Sequence, residues 1–474
     1  MARTRASRDS IGPIDVPAEA AWGPSTERAR RAFVISGPPG QVRRFPRRFL
    51  EALGVVKRAC AMANEELGLL PVDKAEWIAA AAQEVVDGRW DDHFPLDVFQ
   101  TGSGTSTNMN ANEVIASRAN ELMGGNLGDL APVHPNDHVN LGQSSNDVIP
   151  TTLHVAAAVA IDEDLLPALR ALAGELRRKA EAWKDVVKLG RTHLVDAVPM
   201  TLGAEVSGWA SRVEQAVARA ARARDVLLPL ALGGTAVGVG HNRHPELPSR
   251  AIARIADTTG LAFVAAPDGC AAQSGQDAAV EASALLRTVA VTLRALAEDV
   301  RLLASGPRGG FGELRLPDIQ PGSSIMPGKV NPVMPEMLVM VAIQVVGLDT
   351  AVTLCGQAGH LQLNTTLPLM AHDLLHIVEL LANGARTFAA RCVAGMEADV
   401  EGCRRNVERS LGMATALAPD LGYDVAAQIA KEAQASGRTV REVAETHPAA
   451  KALGAERLAA LLDVDRMARP ERAR

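Results

Sequence analysis

With 474 residues, the chain is long enough for two or three domains and a large hydrophobic core. Hydrophobic residues make up 47% of it but aromatic residues only 3%, so the core is built from Ala, Leu and Val, which favours packed helices over β-sandwiches. The net charge of −6 argues against a nucleic-acid or anionic-membrane partner, while it allows an anionic substrate held by a few local cations.

The first part of the chain, residues 1–142, predicts a mixed domain that is mostly helical. Polar turns alternate there with short helical stretches such as residues 49–67, and a segment rich in Gly and Asn follows Phe99. Helical spacing of apolar residues is the basis for this interpretation.

Residues 143–398 predict a central bundle of long helices. Apolar residues recur at steps of three and four from Leu286 to Leu303, and similar stripes cover residues 165–183, 204–221, 337–348 and 374–381. Such near-heptad spacing is typical of long amphipathic helices. The apolar seams are wide, so we expect helices from neighbouring subunits to help cover them.

The tail, residues 399–474, predicts a small, separate helical domain. Its helical patterns are shorter than those of the bundle, and Gly422 and Gly437 interrupt them. Together the three regions predict a mainly α fold.

Four segments between the helices are rich in Ser, Thr, Asn, His and Gly and poor in Lys and Glu. They are QTGSGTSTNMNANE from Gln100, HPNDHVNLGQSSND from His134, GRTHLVDAVPMTLG from Gly190 and PGSSIMPGKVNP from Pro321. A single segment of this kind is most simply a turn. Four of them at the ends of helices predict loops that converge on a pocket for a small polar ligand.

The last segment, residues 321–332, nearly fits the phosphate-binding pattern G-x-x-x-x-G-K-[ST]. Five residues rather than four separate Gly322 from Gly328, and Val330 stands where that pattern needs a hydroxyl for Mg²⁺. The segment therefore argues against a nucleotide as the ligand.

Cysteine and histidine spacing predicts neither a metal site nor a cofactor. The five cysteines are odd in number and form no C-x-x-C pair, which argues against disulfides, zinc or iron–sulfur clusters and favours a reducing compartment. His372 and His376 have the spacing of a zinc helix, but Asp373 replaces the Glu of H-E-x-x-H, and bundle packing explains the pair. Because no apolar signal segment or uncharged run of ~18 residues is present, we expect no membrane span and a cytoplasmic location.

The four polar segments together resemble the aspartase/fumarase superfamily. Residues 322–331 match its signature G-S-S-x-M-P-x-K-x-N at every fixed position, and the resemblance extends from RDSIGPIDVP at Arg8 to LGYDVAAQIAKEA at Leu421. It implies a mainly α, three-domain aspartase/fumarase-like fold. In that fold, the central long-helix bundle forms the multi-helix core of a homotetramer.

Within the superfamily, most segments look like those of class II fumarases. QTGSGT, HPND, QSSND and LGGTAVG are similar to theirs, whereas aspartate ammonia-lyases usually show Thr for Ser145 and Ala for Gly234. Against this, VMPE at 333–336 and LQLN at 361–364 look more like aspartases, and SGQDA after Cys270 departs from the fumarase pattern.

The resemblance therefore favours a lyase of the tricarboxylic acid cycle that hydrates fumarate reversibly to malate. An aspartate ammonia-lyase, which releases ammonia instead of water, is the alternative. A catalytically inactive helical scaffold is a third possibility, but such a scaffold has no need to keep the signature residues together.

The resemblance also implies metal-free acid/base catalysis through an aci-carboxylate intermediate. Ser323 would be the base at the proton-bearing carbon, which requires backbone N–H groups to stabilise its oxyanion. Lys329 and Asn331 would hold the charge that then collects on the adjacent carboxylate. His193 would activate water on the other face, paired with Glu336 from a neighbouring subunit in a site shared between subunits.

Further residues are implied to bind the two substrate carboxylates beside Lys329 and Asn331, with neutral donors supplying most of the contacts. They are Ser103, Gly104, Thr105, Ser144, Ser145, Asn146, Thr192 and Ser324, although an ordinary cap or turn explains Ser324 equally well. A second anion site near the entrance is implied at His134, Pro135, Asn136 and Asp137, where a plain capping turn is the alternative.

Two elements flank the signature loop. The Gly- and Pro-rich residues 306–322 fit a mobile lid or, equally, a rigid surface loop. A helix is predicted from Met337, and its N-terminal amides would favour an anion nearby.

Overall fold

A computed structural model describes residues 3–469, and its architecture is mainly α-helical, as predicted. These residues form nineteen α-helices and ten short strands, and the strands pair only two by two. The outer ends of the predicted first and third domains lie outside the described residues. The domain limits 1–142, 143–398 and 399–474 stay a prediction.

The α-helices are α1 (Pro24–Ala32), α2 (Arg47–Glu66), α3 (Val72–Val86), α4 (Thr105–Leu122), α5 (Ser145–Ala160), α6 (Leu166–Ala182), α7 (Leu202–Asp225), α8 (Leu247–Thr259), α9 (Gly269–Ser274), α10 (Asp277–Leu303), α11 (Val333–Gly356), α12 (Leu367–Phe388), α13 (Val400–Arg409), α14 (Ala418–Leu421), α15 (Tyr423–Ser436), α16 (Val440–Ala444), α17 (Pro448–Lys451), α18 (Ala455–Leu461) and α19 (Val464–Met467).

Antiparallel strands form four of the five strand pairs. These are β1 (Thr4–Asp9) with β2 (Gly12–Pro17), β3 (Val187–Thr192) with β4 (Val195–Thr201), β7 (Leu314–Arg315) with β10 (Glu397–Ala398) and β8 (Gly359–His360) with β9 (Leu363–Asn364). The parallel pair is β5 (Pro229–Leu230) with β6 (Val264–Ala265).

The five apolar stripes of the predicted bundle coincide with α6, α7, α10, α11 and α12. The prediction that a helix begins at Met337 is wrong by four residues, because α11 begins at Val333. Pro335 lies in its first turn, where the missing N–H of proline has no intrahelical partner to lose.

The chain divides into two compact units, of which the first comprises Met1–Pro167, Ala218–Ala290 and Ile343–Ala382. In unit 1, α2 packs against α3, α5 and α8. Phe49, Leu53, Val56 and Cys60 are fully buried along α2, at the three- and four-residue steps of one helix face.

Unit 2 comprises Ala168–Val217, Val291–Ala342 and Asn383–Arg474. Its tail helices share a hydrophobic core with β3, since Val187 and Leu189 lie in one buried cluster with Val407, Leu417 and Ile429. The two glycines predicted to interrupt the tail flank α15, and both have left-handed φ angles, +83° at Gly422 and +70° at Gly437.

One helix of residues 3–469, α11, is long and apolar enough by length and composition to cross a membrane. Core helices of soluble proteins pass the same test, so this is weak evidence. Glu336 lies in its first turn, and the buried Asp349 accepts hydrogen bonds from Ser283 Oγ at 2.7 Å and Arg287 Nη1 at 2.8 Å. A buried carboxylate with such partners is typical of a helix that packs against other protein elements along this side.

Candidate active site

The signature loop is closed by hydrogen bonds between its two ends. The Gly322 N–H donates to Lys329 O at 2.8 Å, and Asn331 Nδ2 donates to Gly322 O at 2.7 Å. A Cβ at position 322 would lie 2.5 Å from Lys329 O and 2.8 Å from Asn331 N. Only glycine fits this approach of two backbone segments.

Ser323 has the backbone donors that its predicted role requires. Its Oγ accepts hydrogen bonds from Ile325 N at 3.2 Å and Met326 N at 2.9 Å. Two amides directed at one hydroxyl oxygen would also stabilise an oxyanion there. Ser324 and Lys329 are exposed in the same loop, and Glu336 is exposed on α11.

The segment GRTHLVDAVPMTLG, predicted as a polar loop, forms most of a β-hairpin. Thr192 pairs with Val195, so His193 and Leu194 are the two central residues of the turn. Both have left-handed φ angles, 56° and 59°. Two-residue hairpins with this twist favour Asn-Gly, and a side chain in the left-handed region costs roughly 1–2 kcal/mol per residue. The exposed tip that carries Thr192 and His193 is therefore strained.

A buried charge cluster lies at the base of this hairpin. Arg191 Nη2 lies 2.8 Å from Glu313 Oε1, and Lys188 Nζ lies 3.0 Å from Glu313 Oε2 and 2.5 Å from Glu205 Oε2. Asn406 Nδ2 donates to Glu313 Oε1 at 3.0 Å. Burial alone raises the pKa of Glu313, but Arg191, Lys188 and Asn406 outweigh it and lower that pKa.

Sequence reasoning missed Lys188 and Glu313. Glu313 is separated from Arg191 by 122 positions, and no local pattern reveals that pairing. Lys188 did leave a signal, since a lysine between Val187 and Leu189 in an apolar strand needs a buried partner.

In unit 1, the QTGSGT segment ends at the start of α4. Gly104 precedes the helix with a φ of 73°, and a Cβ there would lie 2.9 Å from two side-chain carbons of Ile149 in α5. The hydroxyls of Ser103 and Thr105 are 2.9 Å apart. This segment therefore packs directly on the helix that follows QSSND.

The QSSND segment forms the N-terminal cap of α5. Ser144 Oγ accepts from Asn146 N at 3.2 Å, and Ser144 N donates to Asp147 Oδ1 at 2.9 Å, which makes a reciprocal capping box. Asn108 Nδ2 in α4 donates to Ser145 Oγ at 3.1 Å. The start of α5 and Asn108 of α4 thus form one hydrogen-bonded platform, which carries Ser144, Ser145 and Asn146.

Buried charges lie next to this platform. Lys57 is fully buried and donates to Asn140 Oδ1 at 3.0 Å and Gln143 Oε1 at 2.9 Å, and burial lowers its pKa to about 7. Asp147 is also fully buried, which raises its pKa despite several backbone hydrogen bonds. Gly233 N and Thr235 N donate to its Oδ2 at 3.0 and 2.9 Å. The sequence did not single out Lys57.

At the predicted second anion site, His134 caps a single π-helical turn, Pro135–Val139. Its Nδ1 accepts from Asp137 N at 3.2 Å, and its own N–H donates to His138 Nδ1 at 2.7 Å. Asn136 and Asp137 are exposed. Capping describes the local contacts of His134, and anion binding there stays a prediction.

The predicted residues divide between the two units. Unit 1 holds the second anion site and most of the binding residues, whereas unit 2 holds Thr192, Ser324 and all five predicted catalytic residues. Among residues 3–469, no group of three or more His, Cys, Asp or Glu side chains is placed to hold a metal ion. Of the histidine pair in α12, His372 Nδ1 contacts Asp373 Oδ1 at 2.9 Å.

Comparison with known proteins places this architecture in a family. The family described as Lyase matches residues 12–347, and Fumarase C C-terminus matches residues 413–469. Fumarate hydratases class II of Bradyrhizobium diazoefficiens and Ralstonia nicotianae are 51% and 49% identical, over 93% of this chain and 92% and 95% of theirs. A crystal structure of class II fumarase from Schistosoma mansoni has a TM-score of 0.93 and 38% identity, covering 99% of this chain and 100% of its own. The chain therefore belongs to the class II fumarate hydratase family of lyases.

Proposed function

We propose that this chain catalyses the reversible addition of water to fumarate, giving malate. The observation that carries the proposal is the Ser323 hydroxyl, which accepts two backbone N–H groups within the closed signature loop. A serine needs such donors to act as a base, because its oxyanion is otherwise too unstable. The names of relatives about half identical over nearly the whole chain support the same reaction.

In the direction from malate to fumarate, the Ser323 oxyanion takes the proton from the carbon next to a carboxylate and becomes the neutral hydroxyl. The electron pair moves onto that carboxylate and forms the aci-carboxylate. Lys329 supplies a positive charge and Asn331 an amide, whose Nδ2 has a second hydrogen beyond the one donated to Gly322 O. The N-terminus of α11, two residues after Asn331, adds favourable dipole.

On the opposite carbon, His193 protonates the departing hydroxyl or, in reverse, takes a proton from the attacking water. Glu336 from a neighbouring subunit pairs with His193 and stabilises its charged form. Hydroxyl and amide donors hold the two carboxylates in place, and the second anion site lies near the entrance. These donors are Ser103, Thr105, Ser144, Ser145, Asn146, Thr192 and Ser324, with Gly104 contributing backbone.

The proposal includes a cytoplasmic homotetramer with shared sites. On α11, Met340 is 64%, Ile343 55% and Leu354 60% exposed, an apolar stripe on a helix that should not face water. Equivalent helices from other subunits would cover it, as the wide seams of the sequence predict.

The activity can be tested by the ultraviolet absorbance of fumarate after mixing the protein with malate and, separately, with aspartate. We expect a rise with malate alone. A rise with aspartate alone would identify an aspartate ammonia-lyase, and no rise with either would identify an inactive scaffold. EDTA should leave the activity intact, whereas loss that added metal reverses would contradict acid/base catalysis without a metal.

The base can be tested by Ser323→Ala, with Ser324→Ala as the matched control from the same loop. Removing a catalytic proton acceptor should lower kcat by about a thousandfold, while the neighbouring serine should matter far less. Near-normal turnover of Ser323→Ala would remove it as the base.

Shared sites can be tested by mixing two inactive variants, His193→Asn and Glu336→Gln, after reversible dissociation. If each site takes these residues from different subunits, about a quarter of sites in mixed tetramers would carry both native residues. Activity near that fraction is expected. No recovery, with mixed tetramers verified by mass, would place both residues of a site in one subunit.

A further inference from the structure

The strained turn at the tip of the β3–β4 hairpin needs something to hold it. His193 and Leu194 both have left-handed backbone angles, and neither is the Asn or Gly that such a turn favours. The tip itself is exposed, so the turn receives little support from packing. Within the chain itself, the contacts that support the turn lie at the base of the hairpin.

That base is held by a carboxylate from another part of unit 2. Glu313 is fully buried, and its carboxylate oxygens lie within 3.0 Å of both Arg191 and Lys188. Arg191 is in the last pair but one of β3 before the turn, and Lys188 is in the second pair from the start of the strand. The Arg191 guanidinium also stacks on the Phe311 ring, 4.2 Å from its centroid. Arg191 is thus held from two sides, two residues before His193.

The backbone around Glu313 is anchored as firmly as its side chain. Its N–H donates to Leu303 O at 2.9 Å, and its carbonyl accepts from Asp399 N at 2.9 Å. β7, which follows it directly, pairs with β10. Both the backbone and the side chain of Glu313 are therefore held in place. The signature loop begins nine residues further along the chain.

We propose that Glu313 is a positioning residue of this enzyme, which holds Arg191 and Lys188 so that the strained turn keeps His193 aimed at the substrate. Glu313 does not touch the substrate. The inference deepens the proposed function and rests on it, because His193 is the acid/base group of that reaction. A misaimed imidazole transfers protons poorly, although the substrate still binds to the other donors.

Glu313→Gln removes the charge while keeping the volume, and Glu205→Gln is the matched control. Glu205 Oε2 lies 2.5 Å from Lys188 Nζ. Among the ion pairs described for residues 3–469, none joins Glu205 to Arg191. In Glu313→Gln we expect kcat to fall about thirtyfold while KM changes less than about threefold, since displaced catalytic groups cost up to about a hundredfold. Glu205→Gln should stay within about threefold of the parent. Equal losses in both variants, or none in Glu313→Gln, would overturn the proposal.

A second-site change distinguishes positioning from general stability. Leu194→Gly suits the left-handed turn and, at 69% exposure, removes little packing. In the parent it should change kcat less than about twofold, whereas in Glu313→Gln it should recover about fivefold or more, because the turn then needs less support. Absence of recovery would overturn the role of Glu313 in holding the turn.

A readout independent of activity keeps this test apart from that of the reaction. Hydrogen–deuterium exchange of residues 187–201 should be faster in Glu313→Gln than in the parent and in Glu205→Gln. If the parent interconverts neither malate nor aspartate with fumarate, the proposed function fails while the exchange result still reports on the turn.

If Glu313→Gln does not fold, Arg191→Lys takes its place, since it keeps the charge but loses the planar contact with Glu313 and Phe311. It should show the same fall in kcat with KM retained, and a normal kcat would overturn the proposal.

Discussion

The start of α5 and the tip of the β3–β4 hairpin both carry predicted binding or catalytic residues, but they are stabilised in opposite ways. At α5, Ser144 and Asp147 form a capping box, which is what this local sequence favours. At the hairpin, His193 and Leu194 adopt backbone angles that their side chains disfavour.

The difference shows where each loop gets its geometry. A cap encoded by neighbouring residues forms wherever the helix forms, so it is suited to a fixed binding platform. A strained turn persists only while distant contacts hold it, which is a common arrangement at catalytic groups. Changes in the two regions should therefore have different effects on stability and on turnover.

The largest expected effect on stability comes from Asp147→Ala. Ser144, Gly233 and Thr235 would each lose the acceptor for a backbone N–H, and the free energy of unfolding should fall by about 3 kcal/mol. Urea unfolding would measure this. Asp147→Asn is the control, because it retains an acceptor oxygen and should lose less; equal losses would mean that the charge, not the hydrogen bonding, is what matters.

A pH series should reveal the buried Lys57 next to the capped helix. Its pKa is lowered from 10.5 to about 7, so between these values the unfolded chain binds more protons than the folded chain. The free energy of unfolding should therefore rise with pH in this window, by at most about 1.4 kcal/mol per pH unit, and the contribution should be constant below it. The measurement is urea unfolding of the parent and of Lys57→Met.

Between about pH 7 and about pH 9, the free energy of unfolding of the parent should rise relative to that of Lys57→Met. Asp147 and Cys60 are the charged or titratable groups that act on Lys57. Burial raises the pKa of Cys60 to about 12. Cys60 therefore contributes little to the pH dependence of stability between about pH 7 and about pH 9. Parallel curves for the two proteins would contradict the burial of a neutral lysine.

Ser144→Ala should have a smaller effect, a loss of about 1 kcal/mol in the free energy of unfolding, because it removes the side-chain cap. Ser144→Gly should cost only a few tenths of a kcal/mol, since glycine is tolerated at this position. The KM for malate should rise in both variants if Ser144 also binds substrate. A KM unchanged in both would leave Ser144 with the capping role alone.

The smallest expected effect is a gain. Leu194→Gly should relieve part of the turn strain and stabilise the protein by about 0.5 kcal/mol, after the entropy of glycine in the unfolded chain is subtracted. Thermal unfolding at fixed protein concentration would measure it, with Val195→Gly as the control. Val195 lies in β4 next to the turn, so glycine there should destabilise.

Periodicity and composition were sufficient for most of the fold. The five long helices follow from apolar steps of three and four, which report one buried helix face without knowledge of what covers it. The breaks at Gly422 and Gly437 were equally readable, because both glycines adopt left-handed angles at the two ends of α15. The family likewise followed from the residues of the signature loop, and comparison with known proteins confirmed it.

Some features of the candidate site were readable from neighbouring residues alone. We expected Ser323 to accept hydrogen bonds from backbone N–H groups, and the amides that donate to it are only two and three residues away in the chain. The same reasoning failed at α11, whose start lies four residues before the predicted one, since prolines mark a helix start without specifying its first residue.

The pairing of Glu313 with Arg191 and the burial of Lys57 could not be read from the sequence. These residues look like ordinary surface charges until folding removes them from water, after which each requires a partner within about 3 Å. The hairpin turn is the clearest case. Local preferences of His and Leu oppose its geometry, and contacts across 122 positions of the chain hold its base in place.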